Sequence, residues 1–165
     1  MRILFFVFTM AISSFCLAQD VTNKKQANKI FSFAAVGTTT TTGLTYERIL
    51  NNRKTSLEIG VGLLGGGLGV NLYQFKPFNP EQINSFLGVR SSFNIQGSGG
   101  SRFVNYLPIG VNYLSSKNLY LSIDLGPSLI VQLSHNGYPD PNKILPDYPK
   151  YMLGVYAGIK FGFGF

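Results

Sequence analysis

The chain of 165 residues is poor in cysteine and in charge. Its one cysteine, Cys16, lies in the apolar N-terminal stretch, so removal of that stretch leaves no thiol. Disulfide bonds and thiolate chemistry are then excluded. Charged residues make up 13% of the sequence, about half of the usual share for a soluble domain. Apolar residues are not depleted, so a large surface is expected to face something other than water.

The sequence also lacks a long apolar run after its first residues. A membrane-spanning helix needs about 20 consecutive apolar residues, and no such run follows residue 18. Low charge without a helical span favours a barrel or a buried sheet. Residues 1–18 combine Arg2, an apolar core and a small residue at Ala18, which is typical of a cleaved secretory signal. We predict a signal peptide at 1–18, a polar arm at 19–28 and one domain at 29–165.

The excess of basic residues does not indicate a nucleic-acid binder. Lys and Arg number 14 against 7 Asp and Glu. Nucleic-acid binding would require a basic cluster interleaved with stacking aromatic residues. Here the basic residues are scattered over the arm and the apparent turns: Lys24, Lys25, Lys29, Arg53, Lys54, Lys76, Lys117, Lys143 and Lys150. This distribution favours a modest attraction to acidic lipid headgroups.

The last fifteen residues, 151–165, alternate with a period of two. The odd positions from Tyr151 to Phe165 are all apolar, and the even positions are mostly glycine, with Lys160 as the one charge. Such alternation predicts a β-strand with two unlike faces. Seven further segments show strand patterns: 29–36, 42–50, 55–64, 68–75, 83–95, 103–114 and 119–132.

The connections between these segments carry turn and loop signals. Tight turns are predicted at 51–53 and 115–118, a threonine loop at 37–42, and a proline-rich loop at 134–150. Gly65–Gly67 is predicted to break a strand, and the prolines at 77 and 80 to end the next one. A barrel depends on segments 68–75 and 83–95, because the remaining six strands would be too few.

The polar faces of the strands predict which side meets the membrane. Gly, Ser and Asn dominate them, with single charges, as suits the cramped lumen of a barrel of about eight strands. The apolar faces then point to lipid. We predict an all-β fold, a closed antiparallel up-and-down transmembrane β-barrel of eight strands. The turns would lie in the periplasm, and the threonine, glycine-rich and proline-rich loops outside. A soluble lipocalin-like binder is the structural alternative.

The sequence resembles small bacterial outer-membrane barrels of the OmpA/OmpX type, which share a leader, alternating strands and a closing aromatic strand. More narrowly, the segments 44–48, 107–114 and 120–126 resemble uncharacterised outer-membrane barrel proteins of Bacteroidota. The resemblance implies insertion into the outer membrane by the barrel assembly machinery, which in such proteins recognises the final strand. Phe161, Phe163 and Phe165 would be the assembly signal. The resemblance implies no reaction.

Five ionisable residues fall on the predicted lumen face: Glu47, Glu58, Arg90, Asp124 and Lys160. Ionisable groups at membrane depth are often functional, so one hypothesis is a proton or ion path. The other is that opposite charges pair and fill a narrow lumen. The tyrosines 46, 73, 106, 113, 120 and 151 are candidates for interfacial girdles, although Tyr106 and Tyr120 share the lumen parity.

Catalytic and metal signals are weak. Ser134 and His135 suggest a hydrolase only loosely, because a nucleophile also needs an orienting acid at defined geometry. Asp140 and Asp147 lack the spacing of a metal loop, and no helix follows Gly65–Gly67 to bind phosphate. We predict no catalytic, metal or cofactor residues.

The predicted function is therefore that of an outer-membrane barrel, not an enzyme, with a structural or surface-interaction role through its extracellular loops. A narrow porin-like channel for small solutes and a lipid-modifying enzyme are the alternatives. The predicted partners are outer-membrane lipid, the assembly machinery and an unknown extracellular ligand, with no nucleic acid. The protein is predicted to be a monomer.

Overall fold

The computed structural model describes residues 27–39, 42–96, 100–133 and 151–165. The predicted signal peptide, most of the polar arm and the loop at 134–150 lie outside the described residues. The described residues form nine strand segments: β1 Lys29–Ala35, β2 Thr42–Ile49, β3 Thr55–Gly62, β4 Gly65–Leu72, β5 Ile83–Gln96, β6 Gly100–Tyr106, β7 Ile109–Leu114, β8 Leu119–Gln132 and β9 Tyr151–Gly164.

All of these strands belong to one closed antiparallel sheet. Neighbouring strands pair around the barrel, and β9 pairs back with β1. β6 and β7 form a single barrel strand, because both pair with β5 on one side and with β8 on the other. Leu107 and Pro108 separate the two segments, since proline has no N–H to donate to the ladder. The predicted closed barrel of eight strands is confirmed.

The strands are strongly staggered. Following paired residues once around the barrel from Phe163 leads through Phe31, Tyr46, Ile59, Leu68, Ser91, Asn105 and Leu129 to Leu153. The path returns to β9 ten residues from its start. A stagger of ten residues over eight strands corresponds to a strand tilt of about 40°.

The strands alternate between an apolar outer face and a polar inner face. In β8, Leu121 and Ile123 are exposed, whereas Ser122 and Asp124 are buried. The same pattern holds in β1, β3 and β7, whereas residues 151–155 of β9 are exposed on both faces. No helix in the described part of the chain is long and apolar enough to span a membrane.

Both segments on which the barrel depends, 68–75 and 83–95, are strands, but the predicted start of the first one is wrong. β4 begins at Gly65, so Gly65–Gly67 do not break a strand; they belong to it and pair with β3 and β5. The connection is Leu63–Leu64 instead. A Cβ at Gly67 would lie 2.6 Å from the carbonyl oxygen of Ser91 and 2.7 Å from that of Thr38, which explains the need for glycine.

The threonine loop also differs from the prediction. Val36 and Gly37 adopt positive φ angles of 66° and 82°, and the chain then forms a short 3-10 helix at Gly37–Thr39. All three of its residues are buried. Residues 37–39 therefore fold into the barrel as a plug rather than lying outside it, while residues 40–41 lie outside the described part.

The two ends of the barrel are different. At the turn end, the connections 50–54, 73–82 and 115–118 join the strands. At the opposite end, here the loop end, the strands have unequal heights: β5, β8 and β9 have 14 residues, whereas β1 to β4 have 7 or 8. The pairing of β9 with β1 stops at Ile159 and Ala35, but its pairing with β8 continues to Tyr151.

Candidate functional site in the barrel lumen

The lumen contains all five ionisable residues singled out in the sequence. Their side chains lie on β2, β3, β5, β8 and β9 and are almost completely buried: Glu47, Glu58, Arg90, Asp124 and Lys160. Each occupies an inward position because the strand period places alternate residues on the inner face. The closed sheet brings together residues that are up to 113 positions apart in the sequence, from Glu47 to Lys160.

Four of these residues form a continuous ion cluster. Lys160 Nζ donates to Glu58 Oε2, and Arg90 Nη2 lies 3.4 Å from the same oxygen. The other terminal nitrogen of Arg90, Nη1, donates to Asp124 Oδ2 at 2.7 Å. Positive and negative groups alternate along the cluster, so its formal charges cancel.

Neutral groups complete the cluster. Tyr106 donates its hydroxyl to Asp124 Oδ1 at 2.5 Å, and the Thr38 hydroxyl of the plug donates to Glu58 Oε1. Arg90 also lies beside the ring of Phe86, 5.8 Å from the ring centroid. Buried ion pairs need such additional hydrogen bonds to offset the loss of hydration.

Glycines leave the space that the cluster occupies. A Cβ at Gly158 would lie 2.6 Å from Asp124 Oδ1, and one at Gly69 would lie 2.8 Å from Arg90 Cγ. Both glycines pair directly with the strand positions of these charged residues. Glycine on the lumen face is therefore a packing requirement of the ion cluster.

Glu47 has neutral partners instead. Its Oε1 accepts hydrogen bonds from the Ser56 hydroxyl, from Asn71 Nδ2 at 2.9 Å and from the Tyr73 hydroxyl at 3.3 Å. Its Oε2 accepts from the Tyr120 hydroxyl at 3.2 Å. Glu47 makes no ion pair within the described residues.

The two glutamates are direct cross-strand neighbours, since Glu47 pairs with Glu58 across β2 and β3. Like charges in such positions destabilise a sheet. The structure separates their environments: Glu58 turns to two cations, and Glu47 turns to hydroxyl and amide donors.

An apolar cluster closes the turn end below Glu47. The connection 73–82 folds across this end, held by backbone hydrogen bonds from Phe78 to Arg53 and from Glu81 to Leu114. Its Phe78 side chain inserts into the lumen. The cluster consists of Ala27, Ile30, Ile49, Tyr73, Phe78, Phe86, Leu114 and Tyr120.

The lumen is thus filled from the turn end up to the 3-10 plug. The apolar cluster lies at the turn end, the Glu47 network and the ion cluster lie in the middle, and the 3-10 plug lies toward the loop end. The largest buried side chains of the barrel include Arg90, Tyr73, Tyr106 and Tyr120. Three of the tyrosines considered for girdles, at positions 73, 106 and 120, are therefore lumen residues.

The remaining sequence candidates do not join this site. Phe161 is exposed on the outer face of β9, and Phe165, which directly follows this strand, is also exposed. Ser134, His135, Asp140 and Asp147 lie outside the described residues. Among the residues that are described, no group of three or more His, Cys, Asp or Glu side chains could hold a metal ion.

Sequence reasoning missed three contributors to the site. Parity alone places Asn71 and Tyr73 on the lumen face, because they continue the inward positions of β4, but no local signal shows that they contact Glu47. Thr38 gives no such signal, since it lies outside any strand and enters the barrel only through the turn at Val36 and Gly37.

No protein-family model matches the chain, and no curated protein or solved structure matches it either. The closed eight-stranded barrel is compatible with a small outer-membrane barrel, and it is the fold alone that carries this statement.

Proposed function

We propose that the protein is an outer-membrane β-barrel with a filled lumen, a structural or surface-interaction role through its loop end, and no catalytic activity. The resemblance to OmpA/OmpX-type and Bacteroidota barrels is part of this proposal. So are its partners: outer-membrane lipid, and a barrel assembly machinery that reads the aromatic strand with Phe161, Phe163 and Phe165.

The observation that supports a membrane location is the near absence of charged side chains from the outer face of the described strands. Among the described strand residues, the outer face carries only two charged side chains, Lys29 and Arg48, both at the turn end. The rest of that face is largely aliphatic and aromatic. A soluble barrel would expose charge around its girth, whereas a lipid-facing barrel excludes charge from it.

Polar residues on the outer face support the same reading. Ser91 and Asn105 are exposed cross-strand neighbours on β5 and β6, and their side chains hydrogen-bond to each other at 3.0 Å. In hydrocarbon, an unpaired polar group is costly, so polar residues are expected to pair.

A charge-insertion experiment tests the membrane location. Ile123 lies in the middle of β8, half exposed, between Val111 and Ile159. In a bilayer, Ile123→Lys is expected to lower the free energy of unfolding by about 2–4 kcal/mol, because lysine is costly at the midplane. Urea unfolding of protein refolded into lipid vesicles, followed by the heat-dependent gel shift, measures this change.

Leu119→Lys provides the matched control. Leu119 is exposed on the same face of β8 but lies at its turn end, where the expected cost falls to about 0–1 kcal/mol. In a soluble barrel both substitutions would be nearly neutral. Equal, small effects together with recovery in the soluble fraction of cells would refute the proposal.

The filled lumen favours a non-conducting barrel over the porin-like alternative. Salt bridges, tyrosines and the plug occupy the path that solutes would take. Eight strands leave room for side chains rather than for an aqueous channel.

A further inference from the structure

Two cationic side chains lie side by side at the turn end. Lys29 on β1 and Arg48 on β2 are direct cross-strand neighbours, and both are exposed on the outer face. Neither makes an ion pair within the described residues. Lys29 Nζ lies 5.9 Å from the centroid of the Phe165 ring. Like charges directly opposite each other destabilise a sheet, so an anion bound between Lys29 and Arg48 would stabilise the pair.

The pair lies where the apolar outer face of the barrel ends. The next outward row along the same strands is Phe31, Tyr46 and Ile59, and the one after it is Phe33, Leu44 and Val61. A cationic pair directly bordering such a face matches a phospholipid, in which a phosphate borders acyl chains.

An apolar depression lies on the same three strands. It has a volume of about 360 Å³ and is lined by Phe33, Leu44, Val61 and Leu63 among others. Phe33 is four residues from Lys29 along β1, a distance of roughly 13 Å at the rise of a β-strand. An acyl chain spans about half of the roughly 30 Å hydrocarbon core, so it reaches from the cations to the depression.

Further positive charge surrounds the pair at the turn end. Lys54, Lys76 and Lys117 are exposed in the three connections there, and Glu81 is the one exposed acidic residue among the described residues of this end. Phe75, also exposed, precedes Lys76 and is suited to an interface. The field at this end therefore attracts anions.

We propose that Lys29 and Arg48 form a binding site for one anionic phospholipid, with its phosphate between the two cations and an acyl chain in the depression on β1 to β3. This site rests on the proposed membrane location. It would hold the turn end at the headgroup level of the leaflet that it faces.

Lipid titration by native mass spectrometry tests the site on barrels that retain the gel shift. The wild-type barrel is expected to bind one palmitoyl-oleoyl phosphatidylglycerol at least roughly fivefold more tightly than the matching phosphatidylcholine. The double variant Lys29→Gln/Arg48→Gln is expected to lower this ratio to about one. Dihexanoyl phosphatidylglycerol, whose chains are too short for the depression, is expected to bind several-fold more weakly.

The control variant Lys54→Gln/Lys117→Gln removes the same charge from the same end and is expected to keep the preference. Loss of the preference in both double variants would overturn the site in favour of diffuse attraction. Equal binding of the two wild-type lipids, or equal binding of the short-chain lipid, would also overturn it. None of these results bears on the membrane location, which the Ile123→Lys experiment decides separately.

Discussion

Glu58 serves three partners at once, whereas Glu47, its cross-strand neighbour, serves only neutral donors. Removing the charge of Glu58 leaves Lys160 Nζ and Arg90 Nη2 buried without their anion. We expect Glu58→Gln to destabilise the folded barrel by about 3–5 kcal/mol, the usual result of breaking a buried ion pair from one side. Because the chain has no tryptophan, circular dichroism in a urea titration is a suitable measurement.

Glu47→Gln is the matched comparison, because it changes the same group one strand away. Glutamine keeps an oxygen for Ser56, Asn71 and Tyr73, and its amide can donate to the Tyr120 hydroxyl. We expect a loss of about 1 kcal/mol or less. Equal losses for the two variants would contradict the assignment of Glu58 as the shared anion. A second variant, Glu58→Gln/Lys160→Met, should recover part of the loss.

For single residues, the sequence indicated which side chains face inward but not which of them form ion pairs or hydrogen bonds with each other. The period of two is enough to place Glu47, Glu58 and Lys160 on one face. Their partners depend on the closing register between β9 and its neighbours, which brings Lys160 opposite Ala34 and Ser122. No local pattern encodes that register, so the different environments of the two glutamates were not predictable.

Along β9, two lumen-facing glycines differ in what surrounds them. A Cβ at Gly158 would meet Asp124 Oδ1 at 2.6 Å, where Arg90 and Tyr106 hold the carboxylate in place. Among the described residues, a Cβ at Gly154 would meet only the Ser128 hydroxyl, at 3.2 Å. We expect Gly158→Ala to destabilise the barrel by about 1–3 kcal/mol through overpacking.

Gly154→Ala is expected to be nearly neutral, because Gly154 is exposed and the hydroxyl oxygen of Ser128 can shift. Unfolding of both variants in the same vesicles gives the comparison. If Gly154→Ala were the more harmful of the two, the ion cluster would not be the reason for glycine on this face.

The strands themselves were largely predictable, and the exceptions have a common cause. β8 matches its predicted range, 119–132, because its outer residues are apolar throughout, including Pro127. β4 was placed too late because three glycines carry no side-chain alternation, although they pair as a strand. The break at Pro108 and the entry of Thr38 into the lumen likewise depend on backbone geometry rather than on a side-chain pattern.

For the whole molecule, the filled lumen predicts the absence of conductance. Planar bilayers containing the folded wild-type barrel are expected to show no stable channel, because the plug, the ion cluster and the apolar cluster obstruct the same axis. Single-channel recording at high salt provides the measurement, with a protein-free bilayer as the control. A steady conductance in the wild type would favour the channel alternative instead.

The number of strands was predictable because each strand shows its own alternation of apolar and polar residues. The closure of the sheet into a barrel is not encoded in any single strand. Closure follows from the pairing of β1 with β9, which are more than 120 residues apart along the chain. Closure was predicted from an energetic argument instead. Backbone donors and acceptors in hydrocarbon require partners, so a membrane sheet cannot have a free edge.

The unequal strand lengths give the described part of the sheet a slanted rim at the loop end. Above Ile159, β9 pairs with β8 alone among the described residues, since β1 ends at Ala35. Among the described residues, the edge of 151–158 that faces away from β8 therefore has no strand partner, and in hydrocarbon its backbone donors and acceptors would need one. At the loop end, β5, β6, β8 and β9 continue together beyond the level at which β1 stops, and among the described residues β9 forms the edge of this extension.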